Sequence, residues 1–169
     1  MLKKMIPNMF TFLNLAFGMM SILLTLTYNY KTSAVMILCA AFVDRYDGVI
    51  ARKINVESDL GKELDSLCDL ISFGAAPAVL SWCTFLGNYG VYGYIISILF
   101  PIAGAYRLAR FNIAESKGIF VGVPITVAGA TLALVVFASF TFNIPDALST
   151  FLMILLSYLM ISKLKFKKF

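Results

Sequence analysis

Apolar residues run through this chain in blocks of about 20, separated by short polar breaks. Six blocks can be marked, at about 7–28, 32–52, 60–86, 91–113, 119–142 and 145–162. A helix of about 20 residues crosses a hydrocarbon layer of about 30 Å, and blocks of this size predict such helices. Pro7 suits a first helical turn, where its missing N–H costs nothing. Gly87-Asn88-Tyr89-Gly90 and Asn143-Ile144-Pro145-Asp146 read as turns, with Asp146 placed to cap the last helix. The expected fold is all-α, an integral membrane bundle of six transmembrane helices. No polar linker is long enough to divide it, so 1–169 is expected to be a single domain.

Composition agrees with that pattern. Hydrophobic residues make up 60% of the chain and charged ones 14%, with mean hydropathy +0.88; a soluble domain carries about a quarter charged residues. The net charge of +5 does not point to nucleic acid, because the bases sit at block ends rather than on a patch interleaved with aromatics. With six spans both termini share a side. That side collects every Lys and Arg except Lys31, which predicts cytoplasmic termini. The first block is long and lacks a small-residue cleavage site, so it is expected to stay as a span rather than leave as a signal peptide. Cys39, Cys68 and Cys83 fall in apolar blocks without metal-ligand spacing and read as small hydrophobes.

The acids are not spread evenly: seven of nine lie between 44 and 69. Asp44, Asp47, Gly48, Ala51 and Arg52 share one helical stripe at the end of the second block. Gly61, Asp65 and Asp69 share another at the start of the third. A short connection makes the two helices antiparallel neighbours whose stripes can face each other. Four converging carboxylates repel unless hard cations bind them, and paired divalent metals are a recurrent device for displacement at phosphorus. Gly48, Ala51 and Gly61 remove bulk beside the acids, and Arg52 is placed to pair with a phosphate. Each small residue alone is equally explained as helix packing; the joint pattern is not.

These positions spell D-x2-D-G-x2-A-R-x8-G-x3-D-x3-D, and at this point the chain resembles the CDP-alcohol phosphatidyltransferases, matching their signature at every defined position. PNMFTFLNLAFG (7–18), LDSLCDLISFGAAPA (64–78), RLARFN (107–112) and GVP (122–124) extend the resemblance, and they point to the branch of the family that uses L-serine as the alcohol. The resemblance implies a six-helix membrane fold, usually a homodimer. It also implies transfer of a phosphatidyl group from a CDP-linked lipid to an alcohol, with release of CMP. Carried onto this chain, Asp44, Asp47 and Asp65 correspond to metal ligands. Asp69 corresponds to a further metal neighbour and the general base. Two divalent ions, Mg²⁺ or Mn²⁺, are implied. Gly48, Ala51, Arg52 and Gly61 correspond to positions around the nucleotide and diphosphate. Asn8 and Thr11, one turn apart near the start of the first span, are placed to reach the nucleotide.

For the acceptor, Arg107 and Arg110 stand near the cytoplasmic end of the fourth span and are candidates for the serine carboxylate, since ionised residues within spans mark sites. Snorkelling to the interface is the competing explanation. Ser72, one turn past Asp69, and Asn112 are further candidates. Glycerol 3-phosphate or inositol phosphate as acceptor would keep the same chemistry. A divalent-cation transporter is disfavoured, because transporters hold ions near the midplane on broken helices, whereas these acids crowd one end.

Overall fold

The computed structural model describes residues 9–46, 60–113 and 122–162 in full, together with the backbone of 2–8, 47–54, 59 and 114. Among these residues the fold is all-helical. The first two helices are α1 (Leu2–Leu26) and α2 (Tyr30–Ile54). A long third rod begins with α3 (Asp59–Asp69), continues through a π-helical segment (Leu70–Ala75), α4 (Ala76–Ser81) and a second π segment (Trp82–Leu86), and ends in a 3₁₀ turn (Gly87–Tyr89). After it come α5 (Val91–Ala114), α6 (Ile125–Ser139) and α7 (Asp146–Ile161). Three helices, Met9–Leu26, Leu60–Tyr89 and Val91–Ile113, are long and apolar enough to cross a membrane, and two shorter apolar helices follow them.

Local chemistry explains where the helices stop. α1 ends in a Schellman motif: Asn29 N–H bonds to Leu24 O at 2.9 Å and Tyr28 N–H to Thr25 O at 3.0 Å, with Tyr28 at φ 62°. The resulting tight turn makes α1 and α2 antiparallel neighbours. α6 starts later than the fifth apolar block suggests, because Gly122 takes φ +83° and Pro124 caps Ile125 in an extended conformation. The first π segment adjoins Pro77, which has no N–H to give the carbonyl one α-turn back; Ala76 N–H reaches instead to Ile71 O, five residues away.

Packing on α1 is inverted relative to a helix of a soluble bundle. On α1 the buried stripe is Thr11, Asn14, Gly18, Ser21 and Thr25, spaced by three and four, while Met9, Phe12, Leu13, Met20, Leu23 and Leu26 lie exposed. An apolar outside and a small or polar inside suit lipid, where tails offer no hydrophobic drive and close backbone approach with hydrogen bonds takes over. Ser33 of α2 meets Ser21 and Thr25 through hydroxyl contacts of 2.8 and 2.7 Å. A Cβ on Gly129 of α6 would lie 2.5 Å from Phe73 O, and one on Gly18 would lie 2.7 Å from Ser72 Cα. Between the third rod and α5 an apolar groove of about 590 Å³ opens sideways, lined by Leu70, Ala78, Trp82, Tyr94, Ile98 and Pro101.

Gly18 therefore sets how closely α1 sits on the first π segment. Gly18→Val forces the two apart, and overpacking of this kind costs about 1–3 kcal/mol. The purified variant in detergent should melt several degrees below wild type; an unchanged melting temperature contradicts the packing.

Candidate metal centre

Three acids from two helices converge. Asp44 stands on α2, Asp65 on α3, and Asp69 is the last residue of α3, at the threshold of the π segment. One oxygen from each lies within 4.8 Å of the other two. Asp44 and Asp65 are half-buried, whereas Asp69 is only 7% exposed. A divalent ion with oxygen bonds of about 2.1–2.5 Å separates opposed ligands by about 4–5 Å. The donor set is all hard oxygen, with spacing compatible with such an ion, so the residues fit a divalent metal.

Asp69 is fixed from α1. Asn14 Nδ2 donates to Asp69 Oδ1 at 3.0 Å, and both groups are buried. Asn14 is itself pinned, because Ser72 Oγ donates to the Asn14 backbone carbonyl at 3.0 Å. The Asn14 Oδ1 atom is buried and has no hydrogen-bond partner. Such an atom costs about 1–3 kcal/mol, a cost that a leucine at this position would avoid.

The basic residues of α5 divide the work. Arg107 is buried, near enough to Asp69 to feel its charge, and lies 5.8 Å over the Phe111 ring. Its Nε has no hydrogen-bond partner. Arg110, one turn on, donates to the carbonyls of Ile161 at 3.0 Å and Ser162 at 3.3 Å. It caps the end of α7, whose last carbonyls have no intrahelical donor. Asn112 donates to Ser66 Oγ at 3.1 Å and Glu63 Oε1 at 3.3 Å, tying α5 to α3.

The other residues marked from sequence are placed as follows. Thr11 is buried on α1 one turn before Asn14, and Gly61 lies half-buried in α3. Asp47, Gly48, Ala51 and Arg52 continue α2, but their side chains, like that of Asn8 on α1, lie outside the described residues. Asn14 was not marked, although the signal was present: an amide within an apolar run, one turn after Thr11 and four residues before Gly18.

Comparison with known proteins agrees with the geometry. The family described as CDP-alcohol phosphatidyltransferase matches residues 4–162. The chain is 40% identical over 166 residues to a CDP-diacylglycerol–serine O-phosphatidyltransferase of Bacillus subtilis, covering 97% of this chain and 90% of that protein. A protein of the same name from Helicobacter pylori is 34% identical over 170 residues, with 96% and 72% covered. An archaetidylserine synthase of Methanothermobacter thermautotrophicus is 34% identical over 167 residues, with 96% and 70% covered.

The cluster is directly testable without any substrate. Titrating Mn²⁺ into the purified protein and following its electron paramagnetic resonance signal should reveal a bound fraction. Asp65→Ala should weaken binding at least tenfold, and Glu63→Gln, outside the cluster, should not. Equal affinity in all three proteins would refute a metal centre at these acids.

Proposed function

The chain belongs to the CDP-alcohol phosphatidyltransferase family, and on that premise we propose that it transfers a phosphatidyl group from a CDP-linked lipid to the hydroxyl of L-serine, releasing CMP. The observation that carries this reading is the convergence of Asp44, Asp65 and Asp69, one oxygen of each within 4.8 Å of the others. Asp47 is assigned as the fourth acid. When bound, two divalent ions, Mg²⁺ or Mn²⁺, supply neutralisation of the diphosphate and polarisation of its oxygens.

The protein's own groups do the rest. Arg52, Gly48, Ala51 and Gly61, with Asn8 and Thr11, are assigned to the nucleotide and diphosphate, where small residues admit the ligand and a guanidinium pairs with phosphate. Serine approaches with its hydroxyl toward Asp69. The hydroxyl oxygen bonds to the lipid-bearing phosphorus, its proton passes to the Asp69 carboxylate, and the bond from that phosphorus to the bridging oxygen breaks, so CMP leaves with the electron pair. Near burial of Asp69 supports the base assignment, since a carboxylate shielded from water is kept for the acceptor's proton.

Serine rather than a phosphorylated alcohol is supported by the relatives' names and by Arg107. Its unpartnered Nε suits the flat carboxylate of an amino acid. Arg110, committed to the end of α7, is the weaker of the two candidates. Ser72 and Asn112 are weaker candidates, since Ser72 Oγ is given to the Asn14 carbonyl and Asn112 to Ser66 and Glu63. The six-helix membrane topology, with cytoplasmic termini and the reaction at the cytoplasmic face, rests on the distribution of Lys and Arg. The homodimer rests on the family resemblance, and the open groove between the third rod and α5 is an apolar face that can take part in it.

Release of CMP from CDP-diacylglycerol should require a divalent metal and L-serine. Asp69→Asn should lower kcat by about a thousandfold, as loss of a general base does when positioning remains. Arg107→Ala should raise KM for serine at least tenfold with a smaller change in KM for the lipid. Release of CMP with glycerol 3-phosphate and none with serine would refute the acceptor.

A further inference from the structure

Asn14 is the one buried amide in contact with the acidic cluster among the described residues, and it lies outside the stretch of the signature that carries the acids. Three observations give it a role. First, its Nδ2 holds Oδ1 of Asp69 at 3.0 Å, leaving Oδ2 as the other oxygen of that carboxylate. Second, its own position is fixed twice: Ser72 Oγ bonds its backbone carbonyl, and the bare Gly18 one turn on lets α1 lie directly against Ser72. Third, Asn14 Oδ1 is buried with no partner. A residue kept for packing alone would not leave a polar atom unsatisfied in the middle of a helix bundle, where an apolar side chain of the same branching would fit.

We propose that Asn14 is a positioning residue that acts through Asp69, clamping one carboxylate oxygen so that the other is presented to the shared metal and acceptor position. The inference rests on the metal-dependent reading of the site, but not on which alcohol is the acceptor. Carboxylates that ligate metals need a partner that sets their orientation, and loss of such a partner lowers metal affinity or activity by about 10- to 100-fold. Asn14 supplies that partner from a different helix, so the approach of α1 to the first π segment controls the geometry of the acid. A donor amide is suited to this because it bonds a carboxylate without adding charge to an already crowded cluster.

The test is a double-mutant cycle read by Mn²⁺ affinity, with CMP release as a second readout. Asn14→Leu should weaken Mn²⁺ binding and lower kcat by about 10- to 100-fold, with KM for the CDP-lipid within about threefold of wild type. In an Asp69→Asn background the same substitution should change Mn²⁺ affinity by less than about threefold, because the group it acts through is gone. Ser157→Ala, which removes a hydroxyl bond to Met153 O within α7, should leave Mn²⁺ affinity unchanged. An Asn14→Leu protein with wild-type affinity and kcat overturns the proposal. So does an equal loss in both backgrounds, which would mark a general packing role. If Asn14→Leu does not fold, Asn14→Ala carries the same comparison. Wild-type protein that binds Mn²⁺ but ignores serine would refute the acceptor reading and leave the Asn14 result standing.

Discussion

Like charge held together against its own repulsion is the constraint around which this bundle is built. Within 4.8 Å of each other, two ionised carboxylates oppose each other by about 3 kcal/mol or more at an effective dielectric near 20, so Asp44, Asp65 and Asp69 can all carry charge together only when a cation offsets it. Empty and fully ionised, the arrangement would oppose the approach of α2 to α3. Filled by a cation, it draws the same two helices together. The helices that carry the acids are therefore braced from outside the cluster. α1 bonds Asp69 through Asn14 and bonds α2 through the Ser21, Thr25 and Ser33 hydroxyls, while α5 bonds α3 through Asn112. Rigid supports of this kind are what a metal site needs if it is to keep its geometry when the ligand leaves.

The bracing uses the contacts that membranes favour. In lipid, burial of leucine against leucine gains little, because the tails are as apolar as the side chain. Small residues and hydrogen bonds decide the packing, and α1 displays both on one stripe. Gly18 admits the Ser72 backbone, and the same approach delivers Ser72 Oγ to the Asn14 carbonyl and the Asn14 amide to Asp69. Structure and chemistry share one interface here, so a change that loosens α1 also releases the acid.

The parts of the site that obey helical periodicity were legible from sequence. Asp44, Asp65 and Asp69 sit at helical spacing on two segments joined by a short connection, and the described structure brings all three together. The all-helical class followed from apolar blocks without alternation. What the sequence hid was whatever depended on tertiary pairing. Nothing local distinguishes Arg107 from Arg110, both basic and one turn apart, yet one approaches Asp69 and the other caps α7. Asn14 meets Asp69 across 55 residues, a pairing no local spacing encodes. The π segments were equally hidden, because a proline predicts a lost hydrogen bond and not how the backbone will replace it.

The division between the two arginines also bears on the last helix, which carries no motif. The end of α7 leaves carbonyls without donors, and the Arg110 guanidinium meets them from α5. That contact anchors this end of α5 to α7. A phosphorylated acceptor brings about two negative charges and would draw on both arginines; an amino acid brings one carboxylate and needs a single flat guanidinium. On the proposed function, the buried Arg107 with its unpartnered Nε is the better placed of the two for that carboxylate. On the proposed function, α7 bears on acceptor choice without touching the acceptor, by engaging Arg110.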